Sequence, residues 1–321
     1  MIRIAPGTGR RSTTDGKRNG AAMGTEQYPA AVQGYEAMRR EDWAAGGALL
    51  AQAAAECEYE HALELWFNAA LAYKFLRDWA RAFELGRKAA ACAEPGTQSP
   101  AFWNLGIAAT AQREWDVARS AWADYGVRLP PGEGEIRQSF GLTPIRLRPA
   151  GGEAAQVVLT ERICPTRAVV REIPRHSGRR FGDVLLHDGA PVGNVVVDDE
   201  SLMVFDEIEV WRESQIPAWS ARAAMDSAGH GRLLRLFGGD QDVEDRETSC
   251  RTAAACTCCG AGEGDGEGVA AAEAQALAQE VLFAAPEEKL RELLDEWVNE
   301  EPGQRSYRDL TLLVRAESSG V

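Results

Sequence analysis

Three tryptophans recur at a fixed spacing in the first half of the chain. Trp43, Trp79 and Trp115 lie 36 residues apart, and each follows an arginine and an acid, in Arg40-Glu41-Asp42-Trp43, Arg77-Asp78-Trp79 and Arg113-Glu114-Trp115. A shift by the same interval superposes the small residues Gly46, Ala82 and Ala118. Self-similarity at this period is typical of stacked helical units, in which each unit buries its apolar side against its neighbours. The repeat therefore predicts a helical array in this part of the chain.

Each unit of the repeat is predicted to be a pair of helices. Apolar residues recur at spacings of three and four over 29–131, which is the periodicity of an amphipathic helix. In the second unit the pattern predicts helices over 61–75 and 78–92, and the third unit repeats it over 100–128. Prolines forbid continuation of a helix, so Pro95, Pro100 and Pro130-Pro131 mark the predicted breaks.

These residues resemble the tetratricopeptide repeat family. Positions within one residue of that family's offsets are held by Trp66 and Phe102, by Ala70 and Gly106, by Tyr73, Ala82, Ala118 and Trp122, and by Pro95 and Pro130. The interval of 36 residues exceeds the family's usual value of about 34, which longer loops would accommodate. The resemblance covers about one third of the chain and implies an array of helical hairpins with a concave groove that binds a peptide or a folded partner.

The resemblance also implies where such a partner would bind. Asn68 and Asn104 fall where some family members hold the backbone or the terminal carboxylate of a peptide, and Phe67 and Lys74 lie on the same predicted helix as Asn68. These four residues are the candidate partner-binding set. An alternative stays open, in which both asparagines are repeat residues that satisfy hydrogen bonds within the helices or loops.

The pattern changes to short apolar segments after residue 142. The segments 144–148, 155–163, 167–173, 181–187, 192–197 and 202–210 are rich in Val, Ile, Leu and Phe, and turn residues such as Asp188-Gly189 separate them. Strands at this spacing predict an antiparallel β barrel or sandwich over 132–212. Around GDVLLHDGAPVG and VFDEIEV the segment resembles the β-rich part of uncharacterised bacterial proteins, and this resemblance implies no activity.

The last third predicts a small α+β domain over 213–321. Two strand-helix halves follow one another, 217–224 with 226–238 and 278–285 with 286–300, and a last strand covers 307–314. The stretch 238–272 is rich in Gly, Ala, Asp and Glu and is predicted to be a long surface loop. The expected fold is thus multidomain α + β, with a helical array, a β domain and this α+β domain.

The predicted loop carries the candidate metal ligands Cys250, Cys256 and Cys259, with Cys258 beside them. Thiolates suit zinc, and the CxxC formed by Cys256 and Cys259 lets two sulfur atoms reach one ion. A second CxxC or a pair of spaced histidines is missing, although His230 would be able to complete a set. Zinc ligation, a redox pair and incidental loop cysteines remain alternatives, and no other cofactor is expected.

A second chemical candidate is the pair His187 and Asp183. An Asp–His pair acts as a general base where a nucleophile lies within about 3 Å. The competing interpretation is structural, because Asp188-Gly189 favours a hairpin turn and His187 would then end a strand. Asp206 and Glu207 are adjacent, so on a strand they point to opposite faces and do not form an acid–base pair.

Charge and composition exclude several classes of protein. A formal net charge of −14 argues against nucleic-acid binding over the whole molecule, since phosphate contacts need clustered cations. No apolar stretch reaches the roughly 18–20 residues that span a bilayer, so no membrane anchor is expected. Residues 1–28 are polar and basic and predict a disordered leader, with Met23 as an alternative start. The odd number of cysteines, seven, is typical of a reducing compartment, so we expect a cytoplasmic protein.

The sequence therefore favours a non-catalytic interaction protein that binds a protein or peptide through the concave face of its helical repeats. Two alternatives remain at this stage. One is an immunity-type inhibitor of a toxin, which suits a compact acidic chain of several small domains. The other is a hydrolytic or metal-dependent enzyme that uses His187 and Asp183 or the cysteine cluster. The oligomeric state and the partner are not determined by the sequence.

Overall fold

The computed structural model describes residues 28–57, 59–148, 155–174, 178–197, 199–238, 251–254 and 279–315. These residues form two compact units. One contains the N-terminal helices and continues to Phe140, with Ile163–Thr166 assigned to it, and the other contains the strands and the C-terminal helices. Apart from Tyr28, the predicted leader 1–28 lies outside the described residues.

Six helices make up the N-terminal region, which confirms its predicted helical character. They are α1 (Pro29–Arg39), α2 (Trp43–Glu56), α3 (Tyr59–Leu76), α4 (Trp79–Ala91), α5 (Pro100–Gln112) and α6 (Trp115–Tyr125). The three repeat tryptophans are each the first residue of the second helix of a pair. Pro100 begins α5, where the missing amide hydrogen of proline costs no helical hydrogen bond.

The turns within the three helix pairs share one backbone conformation. Glu41, Arg77 and Arg113 all adopt the left-handed conformation, with φ of 61°, 58° and 64°. The next amide then donates back to a carbonyl five residues earlier, as from Asp42 to Ala37 at 2.9 Å and from Glu114 to Ala109 at 2.9 Å. This 6→1 hydrogen bond is the Schellman ending of a helix. The 36-residue interval of the sequence is therefore a structural repeat at these turns.

Small residues permit close contact between the helices. A Cβ atom added to Gly106 would lie 2.6 Å from ring atoms of Trp122, so only glycine fits beneath that indole. Ala82 and Ala118 are buried, at 3% and 0% exposure. The positions predicted to hold small residues at helix contacts are thus buried in the array, where large side chains would force the helices apart.

The second unit begins with a five-stranded mixed sheet. Its strands are β1 (Leu142–Arg146), β2 (Val157–Cys164), β3 (Arg167–Val170), β4 (Val184–Val197) and β5 (Glu200–Arg212), and neighbours in this order are hydrogen-bonded. The prediction of purely antiparallel pairing is wrong at one edge, because β1 also pairs with β5 in parallel, with Ile145 opposite Phe205. A parallel neighbour distant in sequence leaves no mark on the local alternation of apolar residues.

The turn predicted at Asp188-Gly189 is also wrong. Residues 181–187 and 192–197 were expected to be separate strands, but β4 runs continuously from Val184 to Val197 and pairs with β5 along its length. Shifts of register occur between His187, Pro191 and Gly193, so the Gly and Pro residues mark irregularities within one strand. Such irregularities admit extra residues without ending a strand.

The C-terminal part is α+β, as predicted. Strands β6 (Ala218–Ala224), β8 (Gln279–Ala284) and β9 (Ser306–Val314) form an antiparallel sheet with β6 in the centre, and helices α7 (Ser227–Gly238) and α8 (Glu287–Glu300) follow β6 and β8. A short strand, β7 (Arg251–Ala254), pairs with β8. The rest of the predicted loop at 239–250 and 255–272 lies outside the described residues.

Apolar clusters of the described residues organise this second unit. One packs α7 and α8 against the C-terminal sheet and includes Trp297, Phe237 and Phe283. Another lies in the five-stranded sheet and includes Ile145, Val158 and Leu185. A further cluster joins Ile173 and Phe181 to Ala218, Leu282 and Ala284 of the C-terminal sheet. The β segment and the C-terminal segment therefore share buried apolar side chains within one unit. In the described part of the chain, no helix is both long enough and apolar enough to cross a membrane.

Candidate functional site

Two of the four candidate partner-binding residues contact each other. Lys74 on α3 donates a hydrogen bond from Nζ to Oδ1 of Asn104 on α5, over 3.1 Å. Lys74 is only 6% exposed, and Asn104 is half-buried. The ammonium group therefore contributes to the contact between the first helices of two successive pairs and offers little surface to a partner.

The other two candidates lie where a partner can reach them. Phe67 and Asn68 are half-buried on α3. Nδ2 of Asn68 donates to the backbone carbonyl of Glu64 one turn earlier, over 2.9 Å. Such a bond within the helix is the alternative to partner binding that the sequence allows for the asparagines. The side chain of Asn68 also hydrogen-bonds to Tyr35 on α1.

The first helices of the array differ in their exposure. On α5, Ile107 and Thr110 are fully buried. On α1 and α3, Val32 and Phe75 are 39% and 43% exposed, and the same two helices carry the half-buried Tyr35, Phe67 and Asn68. We call this surface the α1–α3 face, and its residues are Val32, Tyr35, Glu64, Phe67, Asn68 and Phe75. Among the described residues, the large exposed apolar side chains of the first helices lie on α1 and α3, and none lies on α5.

A polar contact joins the two helices of the α1–α3 face. Oη of Tyr35 donates to Oε1 of Glu64 over 2.8 Å, and Glu64 is exposed. Burial raises the pKa of Tyr35, and the neighbouring Glu64 carboxylate raises it further, so the phenol stays protonated and keeps donating. Sequence reasoning missed both residues. Glu64 lies four residues before Asn68 and so on the same helix face, which is the signal that would have indicated it.

The pair His187 and Asp183 is not arranged as a catalytic dyad. Nδ1 of His187 lies 2.7 Å from the backbone carbonyl of Asp188, and the ring is fully buried. The carboxylate of Asp183 instead accepts from the backbone amides of Arg180 and Ser214, each at 2.7 Å. Burial lowers the pKa of His187 to about 3, assisted by the positive charge of Arg162. The ring is a neutral core group and does not present a base to a substrate.

Asp206 and Glu207 have different environments on β5, as expected for adjacent strand residues. Asp206 binds the exposed Arg146 through two hydrogen bonds of 2.6 and 2.7 Å. Glu207 is buried, with Oε1 2.7 Å from Nη2 of Arg179 and Oε2 accepting from the amide of Arg148. Both carboxylates join elements of the sheet unit to one another.

The candidate zinc ligands Cys250, Cys256 and Cys259 lie outside the described residues, and so does Cys258. Within the described ranges, no group of three or more His, Cys, Asp or Glu side chains is placed to hold a metal ion. The zinc hypothesis therefore stays a prediction from the sequence.

No protein-family model matches the chain, and no curated protein matches it. Among solved structures, the crystal structure of a hypothetical protein from Neisseria gonorrhoeae is similar at a TM-score of 0.24 and 12% identity. The match covers 56% of this chain and 98% of that one. A likeness of this size carries no inference about fold or activity, so the geometry of the described residues alone supports the function below.

Proposed function

We propose that the protein is a non-catalytic interaction protein, and that its helical region is a tetratricopeptide-like array that binds a peptide or a folded protein partner through the α1–α3 face. The observation that carries the proposal is the exposure of large apolar side chains on that face. Val32 and Phe75 are 39% and 43% exposed on the two helices that the hydrogen bond from Tyr35 to Glu64 joins. Apolar surface rimmed by polar groups is typical of protein interaction sites.

The repeat conformation supports the array. Successive pairs use the same left-handed turn, and hydrogen bonds join their first helices, from Tyr35 to Glu64 and from Lys74 to Asn104. First helices that lie side by side line one surface of a helical solenoid, which is the surface such proteins use for binding. Aromatic anchors on this surface, Phe67 and Phe75, would supply most of the affinity.

The experiment is an affinity capture with the full chain as bait. We expect a partner to be recovered by the native chain and lost when Phe67→Ala and Phe75→Ala are combined. The matched control is Leu313→Ala on β9, which also removes an exposed apolar side chain, 39% exposed, from the other unit. Recovery that is equal for the native chain and the double variant, with both folded by circular dichroism, would overturn the proposal.

A further inference from the structure

We propose that the α1–α3 face selects a basic segment, in which a lysine or arginine side chain binds Glu64 and neighbouring apolar residues pack on Phe67 and Phe75. This inference rests on the proposed function and adds the chemistry of the ligand. It differs from the carboxylate-binding groove that the tetratricopeptide resemblance implies, because the charge available on the face has the opposite sign.

The first step concerns the cation that a carboxylate ligand would need. Lys74 is the lysine on α3 nearest to the candidate asparagines, and its Nζ is 3.1 Å from Oδ1 of Asn104. Its side chain is 6% exposed. A ligand carboxylate would have to displace an internal hydrogen bond and open the array to reach it. The buried ammonium therefore does not serve as the anchor for an anionic peptide.

The second step concerns the anion that the face does expose. Glu64 is exposed on α3, and one of its carboxylate oxygens accepts from Tyr35 over 2.8 Å. This bond engages one carboxylate oxygen, and because Glu64 is exposed, the carboxylate is able to accept from a ligand as well. A carboxylate accepts hydrogen bonds from ammonium or guanidinium groups, and a fixed one loses less side-chain entropy on binding.

The third step concerns the groups around this carboxylate. Phe67 and Asn68 follow Glu64 by three and four residues, which places all three on one side of α3. The flat ring of Phe67 suits the aliphatic stem of a lysine or the plane of an arginine guanidinium, since cations are attracted to aromatic faces. Arg39, exposed in the last turn of α1, is a competing cation near Tyr35.

Net charge agrees with this assignment. The chain carries −14 at neutral pH, so its long-range field attracts basic segments and repels acidic ones. That field acts on any basic peptide, and it does not by itself locate a site. The local test must therefore compare variants that change the net charge equally.

The experiment selects short random peptides from a displayed library on the immobilised full chain. Dissociation constants of the enriched peptides are then measured with the native chain, with Glu64→Gln and with Glu84→Gln. Glutamine keeps an acceptor for Tyr35 and removes only the charge. Glu84 is exposed on α4, where it pairs with Lys88 over 3.3 Å, so its variant changes the net charge equally on another helix.

We expect enrichment of lysine or arginine flanked by apolar residues. Glu64→Gln should weaken these peptides about 2- to 5-fold, the range of exposed ion pairs, while Glu84→Gln leaves them within error. Arg39→Gln should strengthen them, and high salt should reduce the difference between the native chain and Glu64→Gln.

The outcomes separate this inference from the proposed function. Peptides that bind through Phe67 but lack basic residues, or equal effects of Glu64→Gln and Glu84→Gln, would overturn the basic-segment inference and leave the proposed function standing. Peptides whose binding is unchanged by Phe67→Ala would count against the proposed function itself.

Discussion

Lys74 and Asn104, both predicted to contact a partner, contact each other across 3.1 Å and join α3 to α5. The bond changes the expected roles of the two residues. It accounts for both polar residues without needing a ligand, and it leaves α1 and α3 as the candidate binding surface. The equivalent asparagine of the preceding unit, Asn68, instead hydrogen-bonds to Glu64 of its own helix and to Tyr35 of α1.

This difference between the asparagines predicts different costs of removing them. Asn104→Ala should lower the free energy of unfolding by about 1–3 kcal/mol, because the buried Lys74 ammonium loses an acceptor. Asn68→Ala should cost about 1 kcal/mol or less, because the hydrogen bonds that it removes, to Glu64 and Tyr35, lie on a partly exposed face. Urea unfolding monitored by circular dichroism measures both. Equal costs would contradict the structural role of Asn104.

Two glycines of the array predict opposite effects of the same substitution. Gly106→Ala should destabilise the protein by about 1–3 kcal/mol, since its Cβ would lie 2.6 Å from the ring of Trp122. Gly86→Ala should stabilise it by about 0.5–1 kcal/mol, because the nearest atom would be 3.5 Å away and alanine favours the helix. Thermal unfolding of the two variants gives the signs. Stabilisation by Gly106→Ala would show that the two helices are less closely packed there.

The buried His187 predicts a loss of stability in mild acid. Its pKa is about 3 in the folded protein, below its ordinary value of 6.5, so the unfolded chain binds more protons between these pH values. The contribution of His187 is fully present above pH 6.5 and falls as the pH is lowered, by about 2 kcal/mol between pH 7 and pH 5. His187→Gln should remove that part of the decline. Parallel pH profiles for the native chain and the variant would contradict the buried, neutral state.

The adjacent carboxylates Asp206 and Glu207 on β5 predict different stability costs for the same substitution. Glu207→Ala should cost about 3–5 kcal/mol, because it leaves the Arg179 guanidinium without its buried partner carboxylate. Asp206→Ala removes an exposed pair with Arg146, with side chains 40% and 43% exposed, and should cost about 1 kcal/mol or less. Chemical denaturation of the two variants measures the difference. Similar costs would mean that Glu207 is not the buried member.

The sequence predicted those parts of the fold that depend on local pattern. The interval of the tryptophans predicted helix pairs, and each tryptophan begins the second helix of a pair because similar short segments form the same helix ending each time. The strand-helix halves of the C-terminal part followed from changes of apolar period, and their bounds agree closely with β6, α7, β8 and α8.

Features set by distant residues were not predictable in this way. The parallel pairing of β1 with β5 joins residues about 60 positions apart, and no local pattern encodes it. The Gly and Pro residues of β4 predict a turn, because these residue types are common both in turns and at irregularities within a strand. At the candidate site, Lys74 and Asn104 were identifiable from their residue types, but their mutual contact depends on how α3 packs on α5.

The central claim is that the α1–α3 face binds a protein partner, and site-specific photo-crosslinking tests it most directly. A photoreactive phenylalanine analogue is placed at position 67 in the full chain expressed in its own cells, and at position 313 as the control. We predict a discrete higher-mass adduct that forms on irradiation from position 67 and is absent from position 313. The same adducts from both positions, or none from position 67 in a folded protein, would contradict the account.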